Sequence, residues 1–143
     1  MKIRKSFTIL LMLMLFVLPV LTACGQQRVN IDLTDYKIDL STNSISAGDI
    51  VFHIKNSATD QKHEFLIFKT DLPIDQLPTT AEGEVDEGST TTVRVFDSGE
   101  LDPGASVKMT QKLDAGNYVV ICNMTNNGTN HYQAGMRETF TVK

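Results

Sequence analysis

From residue 29 onward, apolar side chains recur at every second position in short runs. Val29, Ile31 and Leu33 do so first, then Ile50, Phe52 and Ile54, then Val93 and Val95. Val107, Met109, Gln111 and Leu113 repeat the spacing, and Phe140 and Val142 close the series. A period of two places one set of side chains on one face of a β-strand. Between the runs lie Ala47-Gly48-Asp49, Asp102-Pro103-Gly104 and Asp114-Ala115-Gly116, all turn chemistry. Many short strands at this spacing predict an all-β sandwich or barrel. His63 to Phe68 and Tyr118 to Cys122 are apolar at both parities, which predicts strands covered on both faces. Asp114 to Tyr118 has the form of a tyrosine corner, in which the hydroxyl ties a crossover to nearby backbone. Thr70 to Thr90, with Pro73, Pro78 and few apolar residues, reads as a long excursion holding one helical turn. No internal repeat and no long helical period is visible.

The first residues follow another rule. MKIRKSF carries three positive charges, and the apolar run from Phe7 to Leu21 is 15 residues long and contains Pro19. A membrane span needs about 20 apolar residues, so an export signal fits better than an uncleaved anchor. Leu21-Thr22-Ala23-Cys24 resembles the lipobox of bacterial lipoproteins, which implies cleavage before Cys24 and lipid attachment to its sulfur. The expected organisation is a signal peptide at 1–23, a lipidated tether at 24–30 and one domain at 31–143. The expected location is the extracytoplasmic face of a membrane, periplasmic or cell-surface.

Charge narrows the partners. From Cys24 to Lys143 the chain has 10 Lys and Arg against 17 Asp and Glu, a net charge of −7. Such a domain repels nucleic acid and anionic lipid. Four of the acids fall in Glu82-Gly83-Glu84-Val85-Asp86-Glu87, read as a solvated loop rather than a docking patch. Cysteine usage is more telling. Exported proteins commonly pair their cysteines, yet with Cys24 lipidated only Cys122 is left. An odd cysteine in an exported chain asks for a reason, and metal ligation is one.

Cys122 ends an apolar run, a polar loop follows, and His131 and Met136 come with four residues between them as the chain turns back. Earlier, His63 opens the run His63-Glu64-Phe65-Leu66-Ile67-Phe68. Two imidazoles, a thiolate and a weak axial thioether form the ligand set of a blue-copper site. Soft sulfur suits Cu(I) and imidazole suits Cu(II), so little need move as an electron comes and goes. Asn56 and Asn123 are candidates for shaping the site from behind, and His53 is assigned no role.

With these motifs the chain resembles the plastocyanin and azurin family of cupredoxins in its bacterial lipoprotein form. The resemblance runs from about Ile31 to Val142. It rests on His63-Glu64-Phe65, the Gly99 to Gly104 run, Gly116-Asn117-Tyr118, and Cys122-Asn123 with His131-Tyr132 and Gly135-Met136. It implies a Greek-key β-sandwich binding one copper ion. His63, Cys122 and His131 are then the trigonal ligands and Met136 the axial one. It implies a monomeric electron-transfer protein that exchanges electrons with respiratory or similar redox partners. A copper storage or delivery protein would use the same ligands. An enzyme fits poorly: the chain has three histidines in all, too few for further coppers, and only Cys122 for a binuclear site. One departure is plain, since eight residues separate Cys122 from His131 where such proteins have two to four. A longer loop bulging beside the metal is expected.

Overall fold

The computed structural model describes residues 25–143; the signal segment and Cys24 lie outside the described residues. Eleven strands carry the described chain: β1 (Gln27–Thr34), β2 (Lys37–Leu40), β3 (Ser44–Ile45), β4 (Gly48–Asn56), β5 (Leu66–Lys69) and β6 (Val93–Asp97). They continue as β7 (Ser106–Leu113), β8 (Gly116–Ile121), β9 (Thr125–Asn126), β10 (Thr129–Asn130) and β11 (Arg137–Val142). One sheet has the order β2-β1-β4-β7 and the other β3-β11-β8-β5-β6, while β9 and β10 pair only with each other. β1 runs parallel to β4 and β3 parallel to β11; the other pairs are antiparallel. No helix occurs among the described residues.

The period-two residues face the space between the sheets. Val29, Ile31 and Leu33 of β1 meet Ile50, Phe52 and Ile54 of β4 and, across the sandwich, Phe65, Ile67, Val120, Phe140 and Val142. Phe52 lies at the centre, 5.4 Å from the ring of Phe96, 6.2 Å from Phe65 and 6.3 Å from Phe140. Each such buried side chain is worth about 1.5–3 kcal/mol of transfer free energy.

Several expectations shift. β1 starts at Gln27, inside the stretch assigned to the tether, because Gln27 pairs with Ile50 and its side chain binds Ser46 N–H and Ala47 O. Val93 is 56% exposed, and Phe96 rather than Val93 is buried. The register of β5 on β6 slips between Ile67 and Phe68, opposite Phe96 and Arg94, and this bulge leaves Val95 between two partners. In the excursion, three hydrogen-bonded turns stand in place of the expected helical turn: Gln76 N–H to Pro73 O at 2.9 Å, Gly83 N–H to Thr80 O at 3.1 Å and Ser89 N–H to Asp86 O at 3.1 Å. Leu72, Ile74, Leu77 and Val85 from the excursion cover Leu66, Phe68, Val119 and Ile121 on the outer face of the second sheet. That cover explains why β5 and β8 are apolar at both parities. The tyrosine corner is present: Tyr118 Oη donates to Asp114 O at 2.7 Å.

Candidate metal centre

Three separate stretches of chain deliver the candidate ligands to one end of the sandwich. His63 was expected to open a strand; β5 in fact begins at Leu66, and His63 stands three residues before it in an isolated bridge with Leu101. His63 N–H donates to Leu101 O at 3.2 Å, and Leu101 N–H returns to His63 O at 2.7 Å. Asn56 secures that bridge from below. Its buried Nδ2 donates to Leu101 O (2.9 Å) and to Gln61 O (2.8 Å), and its Oδ1 accepts from Ala58 N–H (3.0 Å). Cys122 follows the last residue of β8 and is fully buried. His131 and Met136 bracket a tight loop, in which Met136 N–H donates to His131 O at 2.9 Å and Met136 O accepts from Cys122 N–H at 3.0 Å. Gly135 closes that loop at φ +107°, a conformation side chains oppose.

The resulting geometry is compact. His63 Nδ1 and His131 Nδ1 are 3.1 Å apart, and Cys122 Sγ lies 3.3 Å from His131 Nδ1 and 3.9 Å from His63 Nδ1. A triangle with those edges has its centre about 2 Å from each corner, the length of a metal–imidazole bond and close to that of a metal–thiolate bond. His63, Cys122, His131 and Met136 are all 0% exposed. The Nε2 atoms of His63 and His131 are buried without a hydrogen-bond partner. The backbone places Met136 beside both Cys122 and His131.

Burial governs the protonation of these groups. It pushes the Cys122 thiol up to about 11, although N–H groups of Glu64 and Met124 favour the thiolate. It lowers His63 to about 4, with His131 adding to the effect and Asp35 opposing it. His131 is lowered by the same burial, again opposed by Asp35. Two neutral imidazoles and a thiol that only a cation would strip of its proton are a donor set made for a soft or borderline metal.

The long segment between Cys122 and His131 is ordered. β9 and β10 form a small hairpin, turning at Asn127 (φ +50°) and Gly128 (φ +78°), the signature of a type I′ turn. His131 N–H donates to Met124 O at 2.9 Å, so the hairpin closes before the ligand. It is tied outward by Asn126 Nδ2 to Lys62 O (3.0 Å) and by Thr125 Oγ1 to Glu84 Oε1 (2.9 Å). Asn123 ties the strand end to the excursion: Oδ1 accepts from Val85 N–H (2.7 Å), and Nδ2 donates to Val85 O (3.0 Å) and Glu87 Oε1 (3.1 Å). The extra residues therefore fold upon themselves and leave the ligand end of the loop tight.

Some participants were not visible in the sequence. Glu64 donates its N–H to Cys122 Sγ at 3.4 Å, and its carboxylate accepts from Asn123 N–H at 3.1 Å. Burial, reinforced by Asp97, Glu87 and Glu100, raises that carboxyl to about 7 despite the Asn123 N–H. The Tyr36 ring stands perpendicular to the His131 imidazole, with centroids 5.4 Å apart. Neither pairing follows from spacing, because each joins residues far apart in the chain. His53 lies on the outer face of the first sheet, in register with Asn30 and Lys108, away from the ligands.

No family model and no curated protein matches this chain. Solved structures do. Reduced auracyanin from Roseiflexus castenholzii is 21% identical, with a TM-score of 0.60 over 83% of this chain and 99% of its own. Auracyanin A of Chloroflexus aurantiacus, described as a blue copper protein, is 18% identical, with a TM-score of 0.54 over 81% of this chain and 99% of its own. Rusticyanin from Thiobacillus ferrooxidans is 16% identical, with a TM-score of 0.56 over 83% of this chain and 79% of its own. At these identities the likeness establishes the fold, the cupredoxin-like β-sandwich.

Proposed function

We propose that this chain is a copper-binding electron-transfer protein. Nδ1 of His63, Nδ1 of His131 and Sγ of Cys122 hold one copper ion, and the Met136 thioether is its weak axial ligand. The observation that carries this reading is the convergence of three buried ligand atoms at edges of 3.1, 3.3 and 3.9 Å. A copper ion held there supplies one-electron chemistry between Cu(I) and Cu(II). The protein's residues hold the ligand atoms in place, keep water out and set the polarity around sulfur. The Glu64 N–H at Cys122 Sγ withdraws charge from the thiolate, a lever on reduction potential. Description of auracyanin A as a blue copper protein supports the choice of copper among metals that accept nitrogen and sulfur. Complete burial of the ligands supports a shuttle over a storage or delivery protein, which has to give its metal away. No substrate bond is made or broken in this account, so the protein is not read as an enzyme.

Around that core stand the readings drawn from the first residues. Residues 1–23 act as a signal peptide, Cys24 carries lipid, and residues 31–143 form the copper domain with β1 reaching back to Gln27. The protein works as a monomer at the extracytoplasmic membrane face, with redox proteins as donor and acceptor. Dual acyl chains make such an anchor stable.

The test is absorption spectroscopy on protein loaded with Cu(II). A strong sulfur-to-copper visible band is expected, and Cys122→Ser should abolish it. In Met136→Leu the band should persist while the reduction potential moves. A colourless copper complex in the natural chain would rule out thiolate ligation.

A further inference from the structure

His131 lies in a loop whose following residues, Gln133, Ala134 and Gly135, are exposed, yet the imidazole itself is 0% exposed. What covers it comes from the opposite sheet. β1 and β2 pair up to Thr34 and Lys37, leaving Asp35 and Tyr36 as the turn between them. Tyr36 sits at φ +59°, and its ring stands perpendicular to that of His131, at 88° between planes. The turn rests on the ligand loop, for a Cβ added to Gly135 would come 4.0 Å from Tyr36 O. A two-residue turn with a positive φ favours Gly or Asn, and a bulky aromatic there is an outlier. The backbone gains nothing from tyrosine at this position. The ring is what the position supplies, and strained residues of this kind concentrate at functional sites.

We infer that Tyr36 is the cover of the His131 edge of the metal centre, and that electrons exchanged at this edge pass its ring rather than a bare imidazole. This makes Tyr36 a positioning residue that sets how closely another redox centre approaches His131. The second half of the inference rests on the copper reading of the site; the first half does not.

The first test uses the metal-free full chain and diethylpyrocarbonate, with the modified histidine identified by peptide mass mapping. In Tyr36→Gly the rate at His131 should rise about tenfold or more, since access no longer waits for local opening. Tyr36→Phe should retain the slow rate, because the ring stays. The rates at His53 and His63 serve as internal controls: if both rise together the variant has unfolded, and Tyr36→Asn, which tolerates the turn, then decides. A His131 rate unchanged in the decisive variant overturns the cover.

The second test measures electron self-exchange between copies of the copper-loaded protein by NMR line broadening. In each event one copy's Cu(I) loses the electron that the other's Cu(II) gains, with no proton or bond transferred. Tyr36→Gly should speed this exchange with the visible band intact. An unchanged or slower exchange overturns the role in electron transfer. Absence of the band in the natural chain counts against copper and leaves the cover to the first test.

Discussion

The two sheets of this sandwich bury their surfaces differently. β1, β4 and β7 turn one face to the core and most of the other to water, and their burial alternates except at Val51, which is buried on the outer face. β5 and β8 are buried on both faces, the inner against Phe52 and its neighbours and the outer against the excursion. His63, Cys122, His131 and Met136 all belong to the second sheet or the loops leaving it. A site that has to exclude water and move little benefits from strands held on two sides, since packed interiors deform least. The open sheet carries stability; the covered sheet carries stability and the candidate ligands.

The strongest way to break this contrast is to remove the outer cover. Phe68, 0% exposed, packs on the excursion side, and Phe68→Ala should cost about 3–5 kcal/mol in urea unfolding. Truncating Lys108 on the water face of the open sheet should stay within about 0.5 kcal/mol. Equal losses at the two positions would mean that the excursion adds no packing.

Next comes the link from that cover to the ligand strand. Asn123→Ala removes both side-chain partners of the Val85 backbone, which is 1% exposed. Leaving buried groups unpaired costs about 1–3 kcal/mol. The sharper readout is hydrogen exchange: the Val85 amide should lose protection while amides of β4 keep theirs.

How far these features were legible before folding differs between the regions for physical reasons. The open sheet announced itself because burial on one face imposes alternation, as in Ile50, Phe52 and Ile54. The candidate ligands were legible from residue type, since two histidines, a cysteine and a methionine in this order suggest metal chemistry, and the fold brings His63, Cys122 and His131 together. The cover was not, because Leu72, Ile74, Leu77 and Val85 follow no period and are ordered only by the sheet beneath them. The hairpin of β9 and β10 is polar on both faces, so hydrophobic spacing says nothing of it. Only Asn127-Gly128 hinted at its turn. Val93 misled because a bulge depends on the partner strand, and Tyr36 escaped notice because its contact to His131 spans almost the whole domain.

A smaller effect is expected at the corner of the covered sheet. Tyr118→Phe loses the hydroxyl bond to Asp114 O, whose residue is exposed, so water can replace the donor and the loss should be about 1 kcal/mol. Tyr118 lies in β8 four residues before Cys122, which directly follows that strand, about 13 Å along the extended chain. The visible band of the copper-loaded variant should therefore match that of the natural chain. A shifted band would mean that strain at the corner reaches the ligands through β8.

The smallest effect belongs to the open sheet and tests whether its water face is passive. His53 projects from β4 between Asn30 of β1 and Lys108 of β7. Its pKa is lowered from 6.5, first by burial and then by Arg28 and Lys108; Asp32 and Lys55 share that face. With the folded value below the unfolded one, the unfolded chain binds more protons in the interval between them. Stability is then full above 6.5 and falls as pH drops below it. The loss levels off beneath the folded value. His53→Gln removes this contribution alone, so the difference in urea midpoint between the natural chain and the variant should drift against the natural chain from pH 7 to pH 5. The metal-free protein suffices, because the other two histidines are common to both chains and cancel. A flat difference would show His53 to be solvated equally in both states, and the open face would then be electrostatically inert.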